Sequence, residues 1–278
     1  MTTSQLMPAR PSVFDGLGEA DYHAHAALSS TGARALLRCP ARFAYERDHP
    51  EEPSEEMELG SAVHTTLLGT GQAWEIAPAR WQSGAEKDAV AAIRADGKIP
   101  LRPAAADKAT AMVAEVRNHA TASQLIKPGW GVAERSLFWT DRATGVHCRA
   151  RIDWQPTALP LLVDLKTADD CSPSALPRLL DKRGYVIQAA FYLQGAEACG
   201  IADASTGFTF VFVESRPPHL VTVVDPDPDD LEWAMRQCDK AREIFRDCTE
   251  AGTWPGYPQH QTVRLPPWAR RDIEPEEF

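Results

Sequence analysis

The stretch from Arg149 to Thr167, RARIDWQPTALPLLVDLKT, constrains this chain more than any other. Cys148, Ala150 and Ile152 alternate with His147, Arg149, Arg151 and Asp153, the two-residue period of a half-buried strand. A turn over Pro156 to Pro160 leads into Leu161-Leu-Val-Asp-Leu-Lys166. In this second strand Asp164 and Lys166 share one face, while Leu161, Val163 and Leu165 share the other. Two carboxylates, Asp153 and Asp164, then meet at neighbouring strand ends, with a lysine two residues beyond the second. Carboxylates and a backbone carbonyl are the hard oxygen ligands that Mg²⁺ prefers, its other positions going to water and substrate phosphate. A metal so held lowers the pKa of its water, and an adjacent lysine positions that water or offsets developing charge.

The chain's 278 residues, 44% of them hydrophobic, suffice for one large domain or a domain with a helical lobe. No apolar run approaches the roughly 18–20 residues of a membrane span, and no basic-then-apolar signal opens the chain. A soluble, cytoplasmic protein without a membrane partner is expected. Six scattered cysteines (Cys39, Cys148, Cys171, Cys199, Cys238, Cys248) contain no C-x-x-C pair, which argues against zinc ribbons and iron–sulfur clusters. A net charge of −10 excludes a general basic coat for nucleic acid. It leaves room for a locally basic channel. Arg149 and Arg151 share the strand face of Asp153, and Arg178, Lys182 and Arg183 cluster downstream.

Residues 1–20 read as a flexible arm. Ser29 or Ser30 caps a helix that ends at Pro40, and Pro40 opens a second helix through Phe43 and Tyr45. The next helix, Met57 to Leu68, carries Gly60 and His64 one turn apart. That spacing lets a helix approach a sheet closely and aim the imidazole at its end. Ala-rich helices at 85–96 and 103–120 form a helical insertion over about 80–122. Val132 to Trp139 is a strand that brings Glu134 near the central pair, and Asp141 to Gly145 is its hairpin turn. After a short helix, Gly184 to Leu193 forms another, with Gln188 and Tyr192 at i, i+4. Strands at 208–214 and 220–224, a long helix at 229–250 and a Pro-rich tail over 256–278 complete the chain. The fold class expected is α/β (α+β): a central mixed sheet flanked by helices, with an N-terminal helical portion, in one domain over 21–255.

The ordered set Gly60-x-x-x-His64, Asp153, Asp164-x-Lys166 and Gln188-x-x-x-Tyr192 resembles the RecB-like branch of the PD-(D/E)XK nuclease superfamily. The flanks Tyr22-His-Ala-His-Ala-Ala-Leu-Ser-Ser30, Cys39-Pro-Ala-Arg-Phe43 and Leu59-Gly-Ser-Ala-Val-His64 are similar to the RecE, or exodeoxyribonuclease VIII-like, group. The resemblance covers roughly residues 20–215 and departs from many members in having Asp, not Glu, at position 164. It implies a restriction-endonuclease-like core in which Asp153 and Asp164 bind Mg²⁺, or Mn²⁺ in its place, helped by the Leu165 carbonyl. By the same resemblance His64 completes the second metal position or its shell, Lys166 orients the attacking water, and Gln188 and Tyr192 brace the site and touch the DNA backbone. Arg149, Arg151, Arg34 and Glu134 are the candidates for lining the DNA path. The implied reaction is 5′→3′ degradation of linear duplex DNA with a free end, leaving 3′ overhangs. The implied partners are a RecT-like annealing protein and three further copies in a ring.

Two other readings compete. A Cas4- or AddB-like nuclease needs four cysteines around the core, three closely spaced, whereas Cys238 and Cys248 stand without a third beside them. A DNA-binding module that has lost catalysis is expected to lack the lysine or an aspartate, and here every motif position is filled.

Overall fold

The computed structural model describes residues 8 and 10–266. Its elements are β1 (Ser12–Phe14), α1 (Glu19–Ala24), α2 (Ser30–Arg38), α3 (Pro40–Asp48), α4 (Glu55–Leu68), β2 (Trp74–Ile76), α5 (Gly84–Ala95), β3 (Ile99–Leu101), α6 (Pro103–Asn118) and α7 (Ala122–Leu125). There follow β4 (Gly131–Thr140), β5 (His147–Pro156), β6 (Leu161–Ala168), α8 (Leu176–Arg183), α9 (Tyr185–Ala198), β7 (Gly207–Glu214), β8 (Val221–Val224) and α10 (Pro228–Ala251).

The helix boundaries follow local chemistry. Ser29 caps α2 by accepting from the Gly32 amide, and Ser54 caps α4 by accepting from Met57. Glu55, Glu56 and Glu58 load the first turn of α4 with the charge its dipole favours. Pro40 opens α3.

Six strands pair in the order β1-β4-β5-β6-β7-β8. All pairings are antiparallel except β6 with β7, which run parallel from Leu161↔Gly207 to Ala168↔Glu214. A parallel pair needs a crossover, and α8 and α9 supply it. β7 reads as a continuous apolar run because both of its faces are covered. Phe208, Phe210 and Phe212 point to one layer with Ile152, Leu162 and Phe191, and α2 and α10 add Leu36, Ala234 and Cys238. Val211 and Val213 point to the other, packed with Val63 of α4 and Met112, Val113 and Val116 of α6. The sheet is thus sandwiched between helices, the mixed architecture expected.

Two features differ from the sequence expectation, β1 in the arm and the β2–β3 pair. The arm over 1–20 contains β1, which pairs with β4 through Ser12↔Phe138, and Asp15 beyond it holds Arg135 at 2.8 Å. Within the helical insertion over 80–122, α6 packs on one face of the main sheet. β2 and β3 form a parallel pair in which Pro100 sits opposite Glu75; a two-stranded sheet is all edge, where proline is tolerated. Of the tail, residues 256–266 carry no helix or strand, and the remainder lies outside the described residues.

Candidate active site

β5 and β6 pair only at Trp154↔Val163. Beyond that point a side chain replaces the ladder. Asp153 Oδ2 accepts from the Leu165 amide at 2.8 Å, so the carboxylate sits in the gap between the strands. The Leu165 carbonyl accepts from His64 Nε2 at 2.8 Å. A carbonyl only accepts, so Nε2 carries the hydrogen, and Nδ1 faces Asp153 Oδ2 at 3.5 Å. At Gly60 the helix lies close against the end of β6: a Cβ there would stand 3.3 Å from Thr167 Oγ1, a tight contact to which the hydroxyl would have to yield.

Glu134 joins them from β4. Its neighbours pair regularly, Ala133 with Trp154 and Arg135 with Ile152, but Glu134 itself is skipped and has φ 50°. A non-glycine residue in this region costs on the order of 1–3 kcal/mol and persists only where its surroundings impose it. The side-chain alternation of β5 breaks at the same level, with Ile152 packed in the α9 layer and Trp154 in the α4 and α6 layer. Ligand atoms of His64, Glu134 and Asp153 all lie within 4.8 Å of one another. Burial, and then the Asp153 charge, push the Glu134 carboxyl up to about 8.

Asp164 is 1% exposed on the α9 side of β6. Gln188 Nε2 donates to its Oδ1 at 2.7 Å, and the Lys166 ammonium lies 2.5 Å from Oδ2. Oδ2 nevertheless lacks a well-aligned hydrogen bond. Burial, and then Asp153, push the Asp164 carboxyl up to about 6 against the pull of Lys166. Burial alone would lower Lys166, but Asp164 and Asp153 outweigh it and raise its pKa, so it stays a cation. The Tyr185 ring supports the ammonium at 5.0 Å. Carboxylates driven toward protonation, one with an unaligned buried oxygen, fit a divalent cation: they are anions short of positive charge.

The other expected residues separate into two groups. Gln188 is 5% and Tyr192 9% exposed. Gln188 spends its amide on Asp164, and the Tyr192 ring packs edge-on against Phe208. Gln188 reaches the site through Asp164, and Tyr192 is buried in the α9 layer. Arg149 and Arg151 are committed as well. Arg149 Nη1 donates to the Tyr22 carbonyl, and Arg151 donates to Ser136 Oγ at 3.0 Å and the Leu17 carbonyl at 2.9 Å. Both guanidiniums flank the buried Tyr22 ring, at 4.9 and 4.3 Å. They pin the segment before α2 to the sheet, which the strand pattern alone did not reveal. Arg34 donates to the Ser30 and Arg183 carbonyls. Glu134, a DNA-path candidate in the sequence, stands instead among the metal-ligand candidates, 3.8 Å from Arg151.

A mixed sheet whose two central strands part around an Asp, with Asp-x-Lys on the next strand and a helical His closing the gap, defines a PD-(D/E)XK nuclease. The chain belongs to the family described as a PDDEXK-like domain of unknown function (DUF3799), whose model matches residues 29–264. Among solved structures, a protein provisionally named an exonuclease from Eubacterium rectale superposes with a TM-score of 0.61 at 13% identity, covering 89% of this chain and 92% of that one. A phage-related exonuclease from Haemophilus somnus 129PT gives 0.36 at 10% identity, over 82% of this chain and 97% of that one. At such identities likeness speaks to fold alone, and only the first superposition is close enough to do so. No curated protein matches the chain. Among the described residues, no helix is long and apolar enough to cross a membrane.

Proposed function

We propose that this chain is a metal-dependent exodeoxyribonuclease acting on linear duplex DNA, 5′→3′, to leave 3′ single strands for recombination. The observation that carries the proposal is the clustering of His64, Glu134 and Asp153 at the parting of β5 and β6, with the Asp164–Lys166 pair on either side of Leu165, whose amide Asp153 holds. Mg²⁺, with Mn²⁺ as substitute and two ions as the working number, would be held by Glu134, Asp153, Asp164 and His64, with the Leu165 carbonyl beside them. Bound there, it would supply Lewis-acid polarisation of the phosphate and an acidified water.

The chain's own residues do the rest. Lys166, kept cationic by Asp164 and Asp153, orients the water and offsets charge growing on the phosphate oxygens. Gln188 fixes the Asp164 carboxylate so that its other oxygen points to the site. The Asp153–Leu165 bond holds the strands apart and makes room for a phosphate. Support for the RecE-like form comes from the flanks around Tyr22 to Ser30 and Cys39 to Phe43, and with it go a RecT-type partner, a tetrameric ring and a cytoplasmic site of action.

The test compares linear duplex with a covalently closed circle of the same sequence, under Mg²⁺. Nucleotide release from the linear form only, with a 5′ label lost first, is expected. Efficient cutting of the circle would make the enzyme an endonuclease.

A further inference from the structure

Arg34 and Arg38 lie one turn apart on α2 and reach across to the last turn of α8. Arg34 Nη1 donates to the Arg183 carbonyl at 2.5 Å and Arg38 Nη2 to the Lys182 carbonyl at 2.8 Å. They satisfy carbonyls that a helix end leaves unpaired, at the pole where cations are favoured. Gly184, at φ 64°, permits the approach, since a Cβ there would stand 2.8 Å from Arg34 Cδ. The junction concentrates positive charge that neither helix holds alone. Lys182 and Arg183 extend exposed side chains beside the exposed Arg38, and Arg178 is exposed one turn back. Among the described residues, none of Arg38, Arg178, Lys182 and Arg183 forms an ion pair, and Asp181 is the one acidic residue of α8.

This is an unneutralised ridge on a chain of net charge −10. It also leads somewhere. Arg183 is followed by Gly184 and then Tyr185, whose ring supports Lys166 beside Asp164. With Arg149 and Arg151 spent on Tyr22, the ridge is a cationic surface joined to the site through Gly184 and Tyr185. Four exposed cations gathered at one helix junction, none in a salt bridge among the described residues, suit the charge of a polyanion. We infer that the α2–α8 ridge carries the phosphate backbone of the DNA substrate to Asp164 and Lys166, an inference that rests on the nuclease proposal above.

The test uses the full chain with labelled linear duplex in Ca²⁺, which should occupy the site without supporting turnover. Affinity is measured against salt for wild type, for Arg178→Ala/Lys182→Ala/Arg183→Ala, and for the charge-matched Arg142→Ala/Arg236→Ala/Arg246→Ala. The bonds from Arg34 and Arg38 go to backbone carbonyls, so the ridge variant retains them. It is expected to bind at least about tenfold more weakly, with a log–log salt slope flatter by about one unit for each phosphate it no longer neutralises, while the matched variant stays near wild type. Equal weakening in both variants, or an unchanged ridge variant of an enzyme that cleaves DNA, overturns the ridge alone. Wild type that neither binds nor cleaves duplex overturns the nuclease proposal and the ridge with it.

Discussion

Lys166 and Asp164 form the tightest charged pair of the site, 2.5 Å apart, in a place where Asp164 is almost wholly buried. Lys166→Ala removes the cation without touching either core cluster. It should therefore cut DNA hydrolysis more than tenfold, at least about 1.4 kcal/mol of barrier, in a protein that still melts cooperatively. A variant keeping more than a tenth of wild-type rate contradicts the role. The same burial gives a pH signature. Asp164 and Glu134 have folded pKa values raised to about 6 and about 8, so the stability they contribute is complete below the ordinary carboxylate range and is lost as pH rises through those values. In EDTA, Tm should fall between about pH 5 and 8.5 on this account. Ca²⁺ should raise Tm more at the alkaline end, where it no longer competes with protons. A flat profile, unmoved by Ca²⁺, contradicts it. The placing of Asp153, Asp164, Lys166 and His64 around Leu165 was legible, because ligand chemistry restricts the residue types and spacings that a candidate site can use. Glu134 was legible as a residue near the central pair but not as a ligand candidate, because the backbone at φ 50° that sets its place leaves no mark in the local sequence.

α4 is the element whose placement the site depends on most. Gly60 lets it lie against Thr167, and His64 follows one turn later. Gly60→Val would drive methyl groups into Thr167 and lift the helix. Mn²⁺ or Ca²⁺ affinity by titration calorimetry should weaken about 10–100-fold, the usual cost of a displaced ligand support. Ser54→Ala offers the contrast, because it removes the cap from the far end of the same helix. About 1 kcal/mol of stability should be lost with metal affinity unchanged; equal effects on metal from both variants would show that α4 is not positioned by Gly60. Helices with caps or an opening proline were readable from sequence, as were β5 and β6. β1, β2 and β3 are three residues each, too short for periodicity to register. Their existence depends on partners remote in the chain, Ser12 on Phe138 and Trp74 on Ile99.

At the scale of the molecule, an acidic chain gathers its candidate ligand carboxylates between two helical layers and carries, on one ridge, cations that form no salt bridge among the described residues. Lys166 offsets only part of the repulsion among these carboxylates, so catalysis should be switched by metal and not merely modulated. The most direct measurement is nucleotide release from linear duplex DNA by wild type and Asp164→Asn, each in Mg²⁺, in Ca²⁺ and in EDTA. The expected result is hydrolysis by wild type in Mg²⁺ alone, and none by the variant under any condition. Sustained hydrolysis in EDTA, or by Asp164→Asn at wild-type rate, would contradict a metal-dependent nuclease centred on the parting of β5 and β6.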